Sequence, residues 1–170
     1  VPQCSRTAKG TPIVQLLPIP REEAITSLLA VSEFNDDTDL LMLTTGGYIK
    51  RTRLADYRSQ SRGGVGSKGA TTREEDFVEN IFAATNHNWL LIFTAKGRCF
   101  WIRIYELPEG SKTSKGRAIQ NLIQIEPDDK ILTYIPVIDL KNEEYANNNF
   151  VVLATRKGLI KKTTLASYSR

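Results

Sequence analysis

Residues 57–70 read YRSQSRGGVGSKGA. Gly63, Gly64, Gly66 and Gly69 stand among Arg58, Arg62 and Lys68. Glycine lets a backbone approach a partner closely, and successive amides beside cations form an anion-binding concavity. The stretch predicts a loop that either turns the chain tightly or meets phosphate. Other chemistry is poorly supplied. His87 is the only histidine, set in Asn-His-Asn before an apolar run, which is a turn position. Cys4 and Cys99 stand far apart without metal-ligand spacing and read as packing residues of a reducing compartment. No metal, nucleophile or nucleotide motif is present, so no catalytic residue, metal or cofactor is expected in this stretch of chain.

The elements that must position such a loop repeat along the chain. Three segments share one pattern: LLMLTTGGYIKRTRLADY (40–57), LLIFTAKGRCFWIRIYEL (90–107) and VVLATRKGLIKKTTLASY (151–168). Each has an apolar run, a threonine (Thr44, Thr94, Thr155), a glycine (Gly47, Gly97, Gly158) and a second run ending on an aliphatic residue (Leu54, Ile104, Leu165). The pattern predicts a β-hairpin with glycine in the left-handed position. Tyr57 and Tyr168 share a repeat position, which marks them as packing residues rather than nucleophiles; Trp101 is expected to pack between units. A second element recurs too: residues 8–31 match 114–137, with Lys9-Gly10 on Lys115-Gly116, and 67–86 is a shorter, more polar copy.

The unit is therefore hairpin, Lys-Gly linker, acidic turn, apolar strand, next hairpin, with a period of roughly 50 residues. That predicts an all-β, propeller-like array of about three blades of four antiparallel strands. The expected division of one repeat domain over 1–170 is a partial blade at 1–39, a blade carrying the glycine-rich loop at 40–89, a blade at 90–150 and a partial blade at 151–170. Residues 20–29 could form a helical turn, but the repeat argues against it. Ile49 and Leu54 are both apolar yet five apart, so either a bulge separates them or both strand faces are covered. With 170 residues, 41% hydrophobic and 25% charged, the chain is that of a folded domain. No run is long enough to span a bilayer and no signal peptide is visible. The chain starts without Met and reads as a piece of something longer.

The net charge of +4 hides a segregation. Acidic residues gather at Glu22-Glu23, Glu74 to Asp76 and Glu126 to Asp129. Basic residues gather after the hairpin glycine (Lys50, Arg51, Arg53; Arg98, Arg103; Lys161, Lys162) and on the linkers (Arg6, Lys9; Arg62, Lys68; Lys112, Lys115, Arg117). A charged stripe is often only a solvated surface. Its recurrence in all three hairpins points instead to a polyanion track along an outer edge, with the acidic turns on another face. The first linker also exceeds the second, LPEGSKTSKG (107–116), by a glycine-rich insertion that blade packing does not require.

At these residues the chain resembles the C-terminal domain of the bacterial DNA gyrase A protein, which is a β-pinwheel of propeller-like blades. QSRGGVG (60–66) is similar to that family's box, Q-R-R-G-G-[KR]-G, and residues 73–131 match at nearly every landmark. Gln60, Arg62, Gly63, Gly64 and Gly66 carry over, whereas Ser61 and Val65 replace basic residues, offset by Arg58 and Lys68. In the family the box lies in the first blade; here residues 1–39 precede it. The resemblance implies a domain that binds duplex DNA around a basic rim and wraps it, so that an ATP-dependent type II topoisomerase introduces negative supercoils. It implies as partners double-stranded DNA and the remainder of the gyrase A and B subunits, with no membrane, in a cytoplasmic, nucleoid-associated setting. The alternatives are the corresponding domain of topoisomerase IV and a protein-interaction propeller that does not wrap DNA.

Overall fold

The local chemistry of the Thr-x-x-Gly pattern recurs in all three hairpins. The glycine amide donates to the threonine carbonyl at 3.0 Å in each (Gly47 to Thr44, Gly97 to Thr94, Gly158 to Thr155). The threonine hydroxyl accepts the next amide, from Tyr48, Arg98 and Leu159, at 3.2, 3.2 and 3.1 Å. The glycines adopt φ of 78°, 81° and 81°, a conformation that disfavours a side chain. These turns join β1 (Thr38–Thr44) to β2 (Tyr48–Arg53), β4 (Trp89–Thr94) to β5 (Cys99–Arg103) and β8 (Phe150–Ala154) to β9 (Ile160–Thr164). The computed structural model describes residues 3–20, 22–57, 70–72 and 75–169.

The connecting segments supply β3 (Val78–Thr85), β6 (Arg117–Ala118) and β7 (Ile131–Val137). They build sheets of order β3-β1-β2-β6, β5-β4-β7 and β8-β9. The architecture is an antiparallel array, as the repeat predicts. Among the described residues, however, only the first hairpin gains two flanking strands and reaches four. Its fourth strand, β6, comes from residues beyond the second hairpin, so neighbouring blades interlock. Both β3 and β7 shift register at the same place, between Leu43 and Thr44 on β1 and between Phe93 and Thr94 on β4.

The first strand of each complete hairpin is buried on both faces, which is why LLML and LLIF read as unbroken apolar runs. Leu41, Leu43 and Ile49 meet Leu90, Ile92, Ile102 and Ile104 in a core between the first two sheets. Leu91 and Phe93 turn the other way, onto Val151 and Leu165 of the third hairpin. Leu40, Met42 and Leu54 face outward onto Val31, Tyr57 and Ile81. Ile49 and Leu54 thus serve different cores, and coverage of both strand faces, not a bulge in β2, explains their spacing. Tyr57 and Tyr168 pack as expected; the Tyr168 ring meets Phe93 edge-on at 5.5 Å.

Residues 22–29 form no helix. The helix that does form, α1 (Glu143–Asn148), was not apparent from the repeat. The Asn142 side chain caps it by accepting from the Tyr145 amide at 2.9 Å, and Glu143 and Glu144 sit in its positive first turn.

Candidate nucleic-acid interface

The cations expected along the rim divide by what each side chain meets. Lys50 turns inward and is 2% exposed. Its Nζ donates to the carbonyls of Ser111, Lys112 and Ser114 at 2.9, 2.7 and 3.1 Å. Burial holds its pKa below the usual lysine value. Arg51 is likewise locked. Its guanidinium reaches Asp39 Oδ2 at 3.0 Å, Glu109 Oε2 at 3.1 Å and the Leu107 carbonyl at 3.0 Å. Both residues were expected to face DNA. The structure corrects this: the linker 107–118 folds over the β2 edge and consumes them. The Arg51 amide donates to the Pro108 carbonyl, and the Gly110 amide donates to Arg51. Gly116 must be glycine here, because a Cβ would lie 2.6 Å from the Ile49 carbonyl oxygen.

Arg98 and Arg103 are only partly free. Arg98 Nη1 lies 3.0 Å from Glu126, and its guanidinium sits 5.1 Å from the Phe100 ring centre. Lys96 binds Glu126 and Asp128 at 2.8 and 2.7 Å. The acidic turn therefore lies against the second hairpin's basic residues, which corrects the expected separation onto different faces. Asp76 and Asp129, missed as individual residues, clamp the hairpin turns. Asp76 accepts from Gly46 N–H and Thr45 Oγ1 at 2.7 and 2.8 Å; Asp129 accepts from Lys96 N–H at 3.1 Å. Burial acts to raise both carboxyl pKa values. For Asp76 the Gly46, Thr44, Thr45 and Phe77 hydrogen bonds outweigh it; for Asp129, those of Thr94, Lys96 and Lys130 do, with the Lys96 charge. Both pKa values end below the ordinary one. An aspartate recurring just before the flanking strand was the available signal. Arg103 stacks 3.7 Å from the Trp89 ring centre and donates to the His87 carbonyl.

A third group stays available. Arg53 is exposed and reaches Glu109 only at 3.8 Å. Lys115 and Arg117 are exposed, and Arg117 pairs with Ile49 on the β2 edge. Lys112 holds its ammonium 5.5 Å from the Tyr57 ring centre. Tyr57 is the last described residue before the glycine-rich box, so Lys112 and its neighbours lie beside the point where the box departs. Among the described residues, no carboxylate pairs with Lys112, Lys115 or Arg117. Arg58, Gln60, Arg62, Gly63, Gly64, Gly66 and Lys68 lie outside the described residues. On the third hairpin, Lys161 and Lys162 are exposed, with Lys162 Nζ 3.8 Å from the Phe150 ring centre. Lys50, Phe100 and Lys161 occupy one register position, opposite Met42, Ile92 and Leu153. The second hairpin has Phe100 where the others have Lys50 and Lys161, and Lys50 is buried, so Lys50, Arg98 and Lys161 do not form the single stripe expected.

Trp101 is 42% exposed rather than packed between blades, and Tyr105 is 54% exposed nearby. Cys99 is half-buried, and burial pushes its thiol up to about 11; Cys4 is exposed. Among the described residues, no group of three His, Cys, Asp or Glu could hold a metal, and no helix is long and apolar enough to cross a membrane. What the arrangement offers chemically is a set of fixed cations on one sheet edge, suited to a polyanion.

Comparison with known proteins places this arrangement. The family described as "DNA gyrase C-terminal domain, beta-propeller" matches residues 1–32, 38–85, 88–144 and 149–170. The DNA gyrase A protein of Nocardioides sp. is 43% identical over 142 residues, 83% of this chain and 15% of that protein. Its Lawsonia intracellularis counterpart is 39% identical over 148 residues, 87% of this chain and 17% of its own length. The chain thus spans under a fifth of the relatives it matches. A solved DNA gyrase A C-terminal domain superposes with a TM-score of 0.70 at 16% identity, covering 94% of this chain and 48% of that one. The C-terminal domain of DNA topoisomerase IV gives 0.67 at 22% identity, covering 92% and 45%. By the match along nearly its whole length, this chain belongs to the DNA gyrase C-terminal domain family of β-propellers.

Proposed function

We propose that this chain binds duplex DNA along the β2 edge and its 107–118 linker and bends it, as the wrapping element of a gyrase. The observation that carries this reading is the group Arg53, Lys112, Lys115 and Arg117, held on one sheet edge beside the departure of the box. The linker that displays three of them is itself fixed by Lys50 and Arg51, so the cations are positioned before DNA arrives. Backbone phosphates then set orientation and a continuous basic path rewards bending. Lys161 and Lys162, exposed on the third hairpin, would offer further phosphate contacts, and Arg62 with its glycines would supply those of the box. Relatives of about 40% identity are gyrase A proteins, which favours gyrase over topoisomerase IV. The remainder of gyrase A, with gyrase B, would supply strand passage and ATP use.

A topology assay tests the reading. Relaxed circles are ligated with the domain bound, and the linking-number change is measured. A wrapping domain shifts it with a definite sign; an unchanged linking number with intact binding would reduce the domain to a passive binder. Binding lost steeply with salt is expected: the four edge cations alone predict a slope of about −3.6. Absence of any DNA affinity would favour the protein-interaction reading. Arg62→Ala should lower the slope by about one unit. Replacing Gly63-Gly64 by Ala-Ala should harm wrapping more than binding, because alanine restricts the backbone that approaches phosphate.

A further inference from the structure

A carboxylate stands on the basic edge itself. Glu109 lies on the linker, and its backbone is pinned to β2 on both sides. The Arg51 amide donates to the Pro108 carbonyl at 3.0 Å, and the Gly110 amide donates to the Arg51 carbonyl at 2.9 Å. Thr52 Oγ1 donates to the Gly110 carbonyl at 3.0 Å. The side chain beyond this anchor is 51% exposed. Its Oε2 lies 3.1 Å from Arg51 Nη2, and its Oε1 lies 3.8 Å from Arg53 Nε. One oxygen thus faces each of two guanidiniums, as the two free oxygens of a phosphodiester would.

Arg51 does not depend on this carboxylate. Asp39 Oδ2 sits 3.0 Å from its Nη1, and the Leu107 carbonyl accepts from its Nε at 3.0 Å. Asp39 is buried and fixed, with its side chain 4% exposed, so Arg51 stays compensated whatever Glu109 does. Arg53 differs. It is 61% exposed, and among the described residues Glu109 is the carboxylate that reaches it. Two guanidiniums and two carboxylates cancel here, so Arg53 adds no net charge to the edge while Glu109 faces it.

Resting on the DNA-binding reading above, we propose that Glu109 is a placeholder for a DNA phosphate and sets how tightly the edge holds DNA. In the free chain it faces Arg53. On binding, a phosphodiester takes Arg53 and the Glu109 side chain turns into solvent, leaving Arg51 on Asp39. The exchange is reversible because an exposed ion pair is weak. It also favours an extended polyanion over a single phosphate. A duplex already held by Lys112, Lys115 and Arg117 presents its next phosphate to Arg53 at high effective concentration, whereas a free anion must displace Glu109 unaided. The displaced carboxylate remains beside the phosphate that replaced it, and their repulsion weakens the contact.

Fluorescence anisotropy at fixed salt measures duplex affinity for the unchanged chain, Glu109→Gln, Arg53→Gln and the two combined, with Glu79→Gln as control. Glutamine keeps the side chain's shape and removes its charge. Glu79 is an exposed carboxylate on β3, the opposite edge of the same sheet. Melting should match the unchanged chain in every variant, because Asp39 and Leu107 still hold Arg51. Glu109→Gln should tighten binding about three- to tenfold, from the lost pair and the lost repulsion together. Glu79→Gln should leave affinity unchanged. Arg53→Gln should weaken the Glu109→Gln chain more than the unchanged chain, since only the unchanged chain gives up an ion pair on binding. Equal or weaker binding by Glu109→Gln overturns the proposal. So does the same gain from Glu79→Gln, or a gain from Glu109→Gln that persists in full when Arg53 is already replaced. An unchanged chain without DNA affinity brings down the DNA-binding reading and this proposal together; affinity that ignores Glu109 brings down the placeholder alone.

Discussion

Lys50→Met separates a structural cation from a phosphate contact, because the two roles predict opposite signatures. Methionine keeps most of the buried stem and removes the ammonium. The Ser111 carbonyl also accepts from Ser114 N–H and Oγ, so the loss falls on the Lys112 and Ser114 carbonyls. Two such bonds at about 1–1.5 kcal/mol net give a destabilisation of about 2–3 kcal/mol. For a chain of this size that is a fall in Tm of roughly 5–10 °C. Urea unfolding and melting curves measure it. The salt slope of DNA affinity should stay near the original, since no phosphate partner is removed. A phosphate contact would do the reverse: stability within about 0.5 kcal/mol of the original and a slope reduced by about 0.9. That second pattern would refute the inward assignment of Lys50 and restore it to the rim. Arg117→Ala, on the exposed side of the same linker, should give the second pattern.

Arg51→Met strands Asp39, whose side chain is 4% exposed, and should cost about 3 kcal/mol in urea unfolding. Gly116→Ala should loosen the linker from β2, because its Cβ would press on the Ile49 carbonyl; Gly10→Ala meets no described atom within 4 Å and should cost only the left-handed strain of about 1 kcal/mol. Asp76 and Asp129 have folded pKa values below the ordinary carboxylate value, so their contribution is present above that value and lost as pH falls through the folded one. Stability measured against pH should therefore drop below about pH 4, and drop less steeply in Asp76→Asn and Asp129→Asn.

The hairpins were legible in the sequence because their chemistry is local. Thr44, Thr94 and Thr155 each accept an amide four residues on, and each glycine takes a positive φ, so the same few residues suffice wherever they occur. The apolar runs likewise marked the strands, though not that both faces of β1 and β4 would be covered. Sheet completion was not legible. Residues 25–31 and 131–137 share a pattern, yet only the second is a strand, because a ladder needs a neighbouring edge. The fate of each cation was not legible either. Lys50 and Lys161 hold the same register position, opposite Met42 and Leu153, but one is buried and the other exposed. The sequence determined how many charges there are and how they are spaced. Which of them faces solvent is decided by tertiary packing: Lys50 is buried because a linker some 60 residues away folds over its β edge, since exposure depends on what covers a side chain, and that covering comes from a distant part of the chain.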